Sequence, residues 1–256
     1  MRTMNADAFN RIANHPEVRP WIGMEDPRID IDLTSVTRNP DNFAFLTDKE
    51  DGGYLVVKLA AGLYVAHSMA LPDARGRPMA SLMRKGFQCM FVETDAVEIV
   101  TQIPDGNQRA EGLSQLAGFR STFRKEKHFP LMGERVGSQF KSLVYADWVV
   151  SGHSDARRVG QAFHEEIGRL HGLANHAHDG VHDQWVGATV MGCLAGNCVK
   201  AVGLYNRWAI VAGYYQATLL SANPPLVDTG DAVIQVRDGR ASVLHAYAQG
   251  ASLSTG

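Results

Sequence analysis

Three stretches of this 256-residue chain carry residue types whose spacing could support chemistry. The first is "LPDARGRPMASL", residues 71 to 82, where Arg75, Gly76, Arg77 and Ala80 follow an apolar run and open a helical pattern. A helix N-terminus presents unpaired N–H groups and a partial positive charge, which suits a phosphate or pyrophosphate. Small residues let the backbone approach such an anion closely. Pro78 works against the site, since it lacks an N–H and adds bulk, although it suits a first helical turn. The second is His67 in "LYVAHSMALP", read either as a catalytic base or as a satisfied pocket or core histidine.

The third stretch is "FHEEIGRLHGLANHAHDGVHD". His164 and His171 lie two helical turns apart, with Glu165 and Glu166 beside them, and His178, Asp179, His182 and Asp183 repeat at a spacing of four. Imidazole and carboxylate together are plausible zinc or transition-metal ligands. The HExxH order is absent, because Gly168 stands where a second histidine would be. Capping or interfacial polar residues are therefore expected, and no metal.

Elements that position these residues can be read from periodicity. "NADAFNRIANHP" predicts a short helix ending before Pro16. "FAFLTDKEDGGYLVVKL" predicts two strands joined by a turn at Asp51-Gly52-Gly53. "MASLMRKGFQCMF" places Met79, Leu82, Met83, Phe87, Met90 and Phe91 on one helical face. "AVEIVTQIP" alternates as a strand, so strand, helix and strand suggest a parallel crossover. "NQRAEGLSQLAGF" predicts a further helix ending at Gly118.

A boundary is expected near "VVSGHSDARR", dividing residues 1–150 from 151–256. Beyond it, helices are expected around 155–172 and 178–195. "CVKAVGLYNRWAIVAGYYQATLLSA" and "AVIQVRDGRASVLHAY" are rich in Val, Ile, Tyr and Trp and read as antiparallel strands with hairpin turns, the clearer at Asp238-Gly239. Tyr205, Trp208, Tyr214 and Tyr215 gather around Arg207, as in either a protein interface or an ordinary core. "GASLSTG" is expected to fray.

Composition limits the partners. A net charge of −2 argues against whole-chain nucleic-acid binding. A locally basic segment (Arg120, Arg124, Lys125, Lys127, Arg135 and Lys141) reads as a solvated face, or as a site for an acidic partner. Three cysteines, Cys89, Cys193 and Cys198, form neither an even framework nor a CxxC pair, which fits a reducing compartment. No signal-peptide core and no uninterrupted membrane-length apolar run are visible, so a soluble product of the cytoplasm is expected.

Taken together, "ALPDARGRPMASLMRKGFQCMF" and "AVEIVTQIPDGNQRAEGLSQLAGF" resemble the acyl-coenzyme A half of the Gcn5-related N-acetyltransferase (GNAT) fold over roughly residues 40–125. Arg75 and Ala80 fit the first and last places of the family's pyrophosphate loop, with Pro78 at its middle glycine. Asn107, Ala110, Gly118 and Phe119 fit the later helix. The resemblance implies a GNAT-like α/β N-terminal domain, a mixed sheet flanked by helices, followed by a C-terminal α+β region. It assigns Arg75, Gly76, Arg77, Ala80 and Asn107 to a degenerate acyl-CoA site. Where many active relatives carry a tyrosine acid toward the departing thiolate, this chain has Ser114, a poorer proton donor than a phenol.

"NHPEVRPWIG", "GLYVAHSMALPDARG" and "DGNQRAEGLSQLAGFR" are also similar to GNAT-fold proteins of tailed-bacteriophage structural gene blocks. "HDQWVGATVMGCLAGNCVKAVGLYNRWAIVAGYYQATLLSANPP" is similar to C-terminal regions of phage structural-region proteins. This implies a virion or tail-assembly component, oligomeric among other virion proteins and passing through the host cytoplasm. The fold is then catalytically impaired and holds no cofactor. The alternative is an active acetyl-CoA-dependent N-acetyltransferase, with His67 and Ser114 as its candidate catalytic groups.

Overall fold

The computed structural model describes residues 2–23, 26, 28–151, 155–171, 179–214, 216–220, 226–228, 232–237 and 240–246. The chain divides into two compact units, residues 1–90 with 96–147, and residues 91–95 with 148–256. The expected Asp238-Gly239 turn, Tyr215 and the "GASLSTG" end lie outside the described residues.

The first unit begins with β1 (Arg2–Thr3), α1 (Ala6–Ala13), α2 (Thr34–Arg38), β2 (Phe43–Leu46), β3 (Gly52–Ala60) and β4 (Leu63–Ala70). It continues through α3 (Arg77–Glu93), whose last residues fall in the second unit, then β5 (Glu98–Pro104), α4 (Gln108–Leu116), β6 (Arg120–Leu131) and β7 (Glu134–Val144). Its strands form a seven-stranded sheet in the order β1-β2-β3-β4-β5-β7-β6. Among the described pairings β4 and β5 run parallel, and every other pair is antiparallel. The sheet is therefore mixed, with its parallel pair at the centre.

Local chemistry sets the helix starts. Asn5 Oδ1 accepts the Ala8 N–H at 3.2 Å and opens α1, which buries Phe9 and Ile12. These pack with Leu46, Leu55 and Met69 on one side of the sheet. The apolar face read for α3 is buried as expected, from Met79 through Phe91. The β2–β3 turn differs from expectation. It spans residues 47–51, closed by a 2.6 Å hydrogen bond from Thr47 Oγ1 to Asp51 Oδ1, and Gly52 and Gly53 already belong to β3. Close packing explains their type: a Cβ on Gly53 would stand 2.8 Å from both Phe45 O and the Phe9 ring.

After α5 (Tyr145–Val150), the second unit contains α6 (Ala156–His171), α7 (Gly180–Leu194) and α8 (Cys198–Ala212). Strands β8 (Thr218–Leu220), β9 (Leu226–Asp228), β10 (Ala232–Arg237) and β11 (Arg240–Ala246) form an antiparallel four-stranded sheet. The strand expected at "CVKAVGLYNRWAIVA" is α8 instead. Its Val, Ile, Tyr and Trp content favours β structure, but tertiary packing overrides propensity. Cys198, Ala201, Val202, Tyr205 and Ala209 are buried at helical spacing, and Gly213 ends the helix at φ +77°.

Candidate functional site

The centre of the seven-stranded sheet is where its pairing fails. β4 and β5 pair only from Leu63 opposite Glu98 to Val65 opposite Val100. Both strands continue, since β4 stays paired with β3 as far as Ala70 and β5 with β7 as far as Pro104. Past Val65 and Val100 the facing edges of Ala66–Ala70 and Thr101–Pro104 have no ladder partner in each other. Buried backbone groups otherwise find partners almost without exception, so such a gap invites a ligand with its own donors and acceptors. Thr101 Oγ1 donates to Ala66 O at 2.9 Å and closes the root of the split.

Both strands run into helices. Because β4 and β5 are parallel, the N-termini of α3 and α4 lie at the same, splayed end of the sheet. Gly76 turns the chain into α3 at φ +84°, with open space where a side chain would be. The N–H groups of Gly76, Arg77 and Met79 have no acceptor among the described residues, whereas Ala80 N–H bonds Gly76 O at 3.0 Å. Pro78 removes one donor from this turn and leaves the others. Arg75 is held by Glu17 through a 2.8 Å ion pair, while Arg77 is exposed. Asn107 caps α4, its Oδ1 accepting the Ala110 N–H at 3.1 Å. The split and the two helix starts thus bring the loop residues and Asn107 to one end of the sheet.

His67 stands just past the split. It lies opposite Leu55 in the β3–β4 ladder, so both side chains share a face, and Leu55 and Met69 turn that face toward α1. Solvent reaches the imidazole, yet the protein packed around it disfavours the charged form, and desolvation lowers its pKa below the ordinary value. The ring is consequently neutral near pH 7 and able to accept a proton. Thr101 is on the opposite face, and Lys141 pairs directly with it across β5 and β7.

Lys141 corrects the reading of the basic segment as one solvated face. Arg120, Arg124, Lys125 and Lys127 are exposed along β6, but Lys141 is only 3% exposed. Its Nζ donates to Glu111 Oε1 at 2.5 Å and to Ser114 Oγ at 3.1 Å, both on α4. That bond is the main cause holding the Glu111 carboxyl below its usual pKa range. Ser114, buried, donates to Glu111 O at 2.7 Å. The sequence alone set Lys141 among the charges of the basic segment and singled out neither Glu111 nor Thr101.

The described residues of the histidine-rich stretch make contacts within the second unit. His164 Nδ1 lies 2.6 Å from Asp183 Oδ1, and Asp179 caps α7 by accepting the Val181 and His182 N–H groups at 2.9 Å each. His182 stacks on Tyr214, with ring centroids 4.4 Å apart, and Trp208 stacks on Trp185 at 5.1 Å. The aromatic group read from sequence therefore packs largely within the unit. His178 and the His171 side chain lie outside the described residues.

A parallel pair that splits beside two helix starts, within a mixed sheet flanked by helices, is a GNAT-like fold. Spermidine N-acetyltransferase from Vibrio cholerae, solved with CoA and spermine, is similar over 58% of this chain and 96% of its own, at 12% identity and a TM-score of 0.50. The ribosomal-protein-S5-alanine acetyltransferase from Vibrio fischeri covers 57% and 89%, at 15% identity and 0.46. A GNAT-family acetyltransferase from Bacillus anthracis covers 55% and 89%, at 14% and 0.45. No protein-family model matches the chain, and no curated protein does. The expectation of a fold that holds no cofactor is corrected here, since the Vibrio cholerae structure with this fold was solved with CoA bound.

Proposed function

We propose that this protein is an acyl-CoA-dependent N-acyltransferase. The observation that carries the reading is the β4–β5 split, opened at its splayed end by two helix starts and flanked by His67. The available N–H groups of Gly76, Arg77 and Met79, with the Arg77 guanidinium, suit a pyrophosphate. The unladdered edges of Ala66–Ala70 and Thr101–Pro104 suit the amides of a pantetheine arm, as a strand edge suits an extended peptide. Asn107 braces the start of α4 beside them. When bound, acetyl-CoA supplies the acyl group as an activated thioester. His67 accepts a proton from an amine approaching on the α1 face of the sheet.

Pro78 weakens the anion cradle by one donor without emptying it, so it does not make the fold inert. The virion reading rests on short stretches of sequence likeness, whereas the similar structure from Vibrio cholerae is an N-acetyltransferase solved with CoA, which supports acyl transfer. Calorimetry with acetyl-CoA tests the proposal, followed by thiol release in the presence of polyamines or peptides with free N-termini. Saturable binding is expected, with thiol release that depends on an added amine. Absence of binding at millimolar acetyl-CoA would overturn it.

A further inference from the structure

The buried cluster of Lys141, Ser114 and Glu111 has a chemical use that rests on the acyltransferase reading. Lys141 sits one strand from the root of the split, directly across from Thr101, whose hydroxyl caps Ala66 O there. It approaches from the face opposite to His67, so the two groups flank the split from opposite sides of the sheet. Burying an ammonium costs several kcal/mol in desolvation, by order of magnitude. If the cluster served only to tie α4 to the sheet, apolar residues of similar size would do so at least as well. An ammonium in hydrogen-bond reach of a hydroxyl adds something an apolar tie lacks: a proton that can be passed on.

Transfer of an acyl group from a thioester to an amine needs such a proton. As the C–S bond breaks, its electron pair stays on sulfur, and the thiolate must be protonated to leave as a thiol. An alcohol alone is a poor acid for this, whereas alkyl ammonium ions and phenols both release protons near pH 10, roughly. We propose that Lys141 is the proton source for the departing thiolate and acts through Ser114. The Ser114 hydroxyl turns from Glu111 O to give its hydrogen to the sulfur and takes one from Lys141 Nζ. Lys141, briefly a neutral amine, regains a proton from solvent, and Glu111 stays a carboxylate throughout. The amine acceptor gives up its proton to His67 on the other face, so the sum is amine plus thioester to amide plus thiol. Ser114 is the group that meets the sulfur; Lys141 supplies and polarises it.

The test uses the full chain and free coenzyme A, and needs no acceptor. Calorimetry gives CoA affinity, and the ultraviolet absorbance of the thiolate, titrated against pH, gives the ionisation of the bound thiol. A cation beside the sulfur favours thiolate, so bound CoA is expected to ionise about one pH unit below free CoA. Lys141→Met returns the titration to the free-CoA value while affinity changes less than about threefold. Glu111→Gln removes the charge that partly neutralises Lys141 and moves the titration further down, a shift of opposite sign that misfolding does not imitate. CoA that binds but titrates alike in all three proteins would overturn the proton relay and leave the acyltransferase reading standing. Failure of CoA to bind at all would instead remove that reading, and the relay with it.

Discussion

The β4–β5 split and the α6–α7 crossing treat the backbone in opposite ways. At the split, two strands that begin as partners part after Val65 and Val100, leaving facing edges without a ladder. At the crossing, the helices approach until side chains are excluded. A Cβ on Gly160 would stand 1.8 Å from Asp183 O, and one on Gly187 would stand 1.7 Å from Ala156 O. Dense contact of this kind leaves no room for a ligand between the two backbones. The split forgoes the same contact and so keeps hydrogen-bonding capacity in reserve. Within one chain, open hydrogen-bonding edges are found where packing is withheld.

The contrast breaks most sharply at the crossing. Gly187→Ala is expected to cost about 3 kcal/mol or more in denaturant unfolding, because the atoms it meets are backbone and cannot swing away. A loss below about 1 kcal/mol would mean the helices do not touch this closely. At the split, His67→Gln is expected to lower the rate of acyl transfer by roughly 100-fold while acetyl-CoA affinity stays near that of the unmodified protein. In the unmodified protein the rate is expected to rise with pH and to level off below the ordinary imidazole value, since desolvation lowers the pKa of His67. The same shift makes its contribution to stability present above that ordinary value and lost as pH falls through the lowered one. An unaltered pH profile in His67→Gln would remove the histidine from the reaction.

Pro78→Ala sharpens the comparison by restoring a donor to the first turn of α3 without filling the space at Gly76. Acetyl-CoA binding is expected to tighten about tenfold, the effect of one charge-assisted hydrogen bond of about 1.5 kcal/mol. Calorimetry showing equal or weaker binding would place the anion elsewhere. A further prediction belongs to the second unit, where Lys200 donates to Phe91 O at 2.5 Å and Thr94 O at 2.8 Å. Burial lowers its pKa to about 8. The unfolded chain therefore binds more protons than the folded one between about pH 8 and the ordinary lysine value, and stability rises with pH across that window. Melting curves of Lys200→Met should lose this rise; a slope that persists would assign it to another group.

Much of the first unit was legible in the residues. The α3 face declared itself by period, since Met79, Leu82, Met83, Phe87, Met90 and Phe91 are all buried. Asn107 was read as opening a helix, and its side chain does cap it. The second unit was read less well because composition and period disagreed in "CVKAVGLYNRWAIVA". β-branched and aromatic residues suggested strands, while spacings of three and four placed Cys198, Ala201, Val202, Tyr205 and Ala209 on one helical face. Period governs because burial of a face outweighs the propensity of single residues. The Gly52-Gly53 pair misled for a related reason, because glycine marks close approach as readily as it marks a turn.

The candidate site divides along the same line. By itself the sequence determined the strand, the glycine-led turn into α3, the missing donor at Pro78 and the histidine just before them, because these depend on neighbours in the chain. Only the tertiary structure decided that β4 and β5 part after three pairs, that His67 and Lys141 stand on opposite faces of the split, and that Lys141 is buried against Ser114 and Glu111. Those features join residues from strands and a helix far apart in sequence. Register across a sheet is set by which side chains its faces must bury, and no local pattern carries that information.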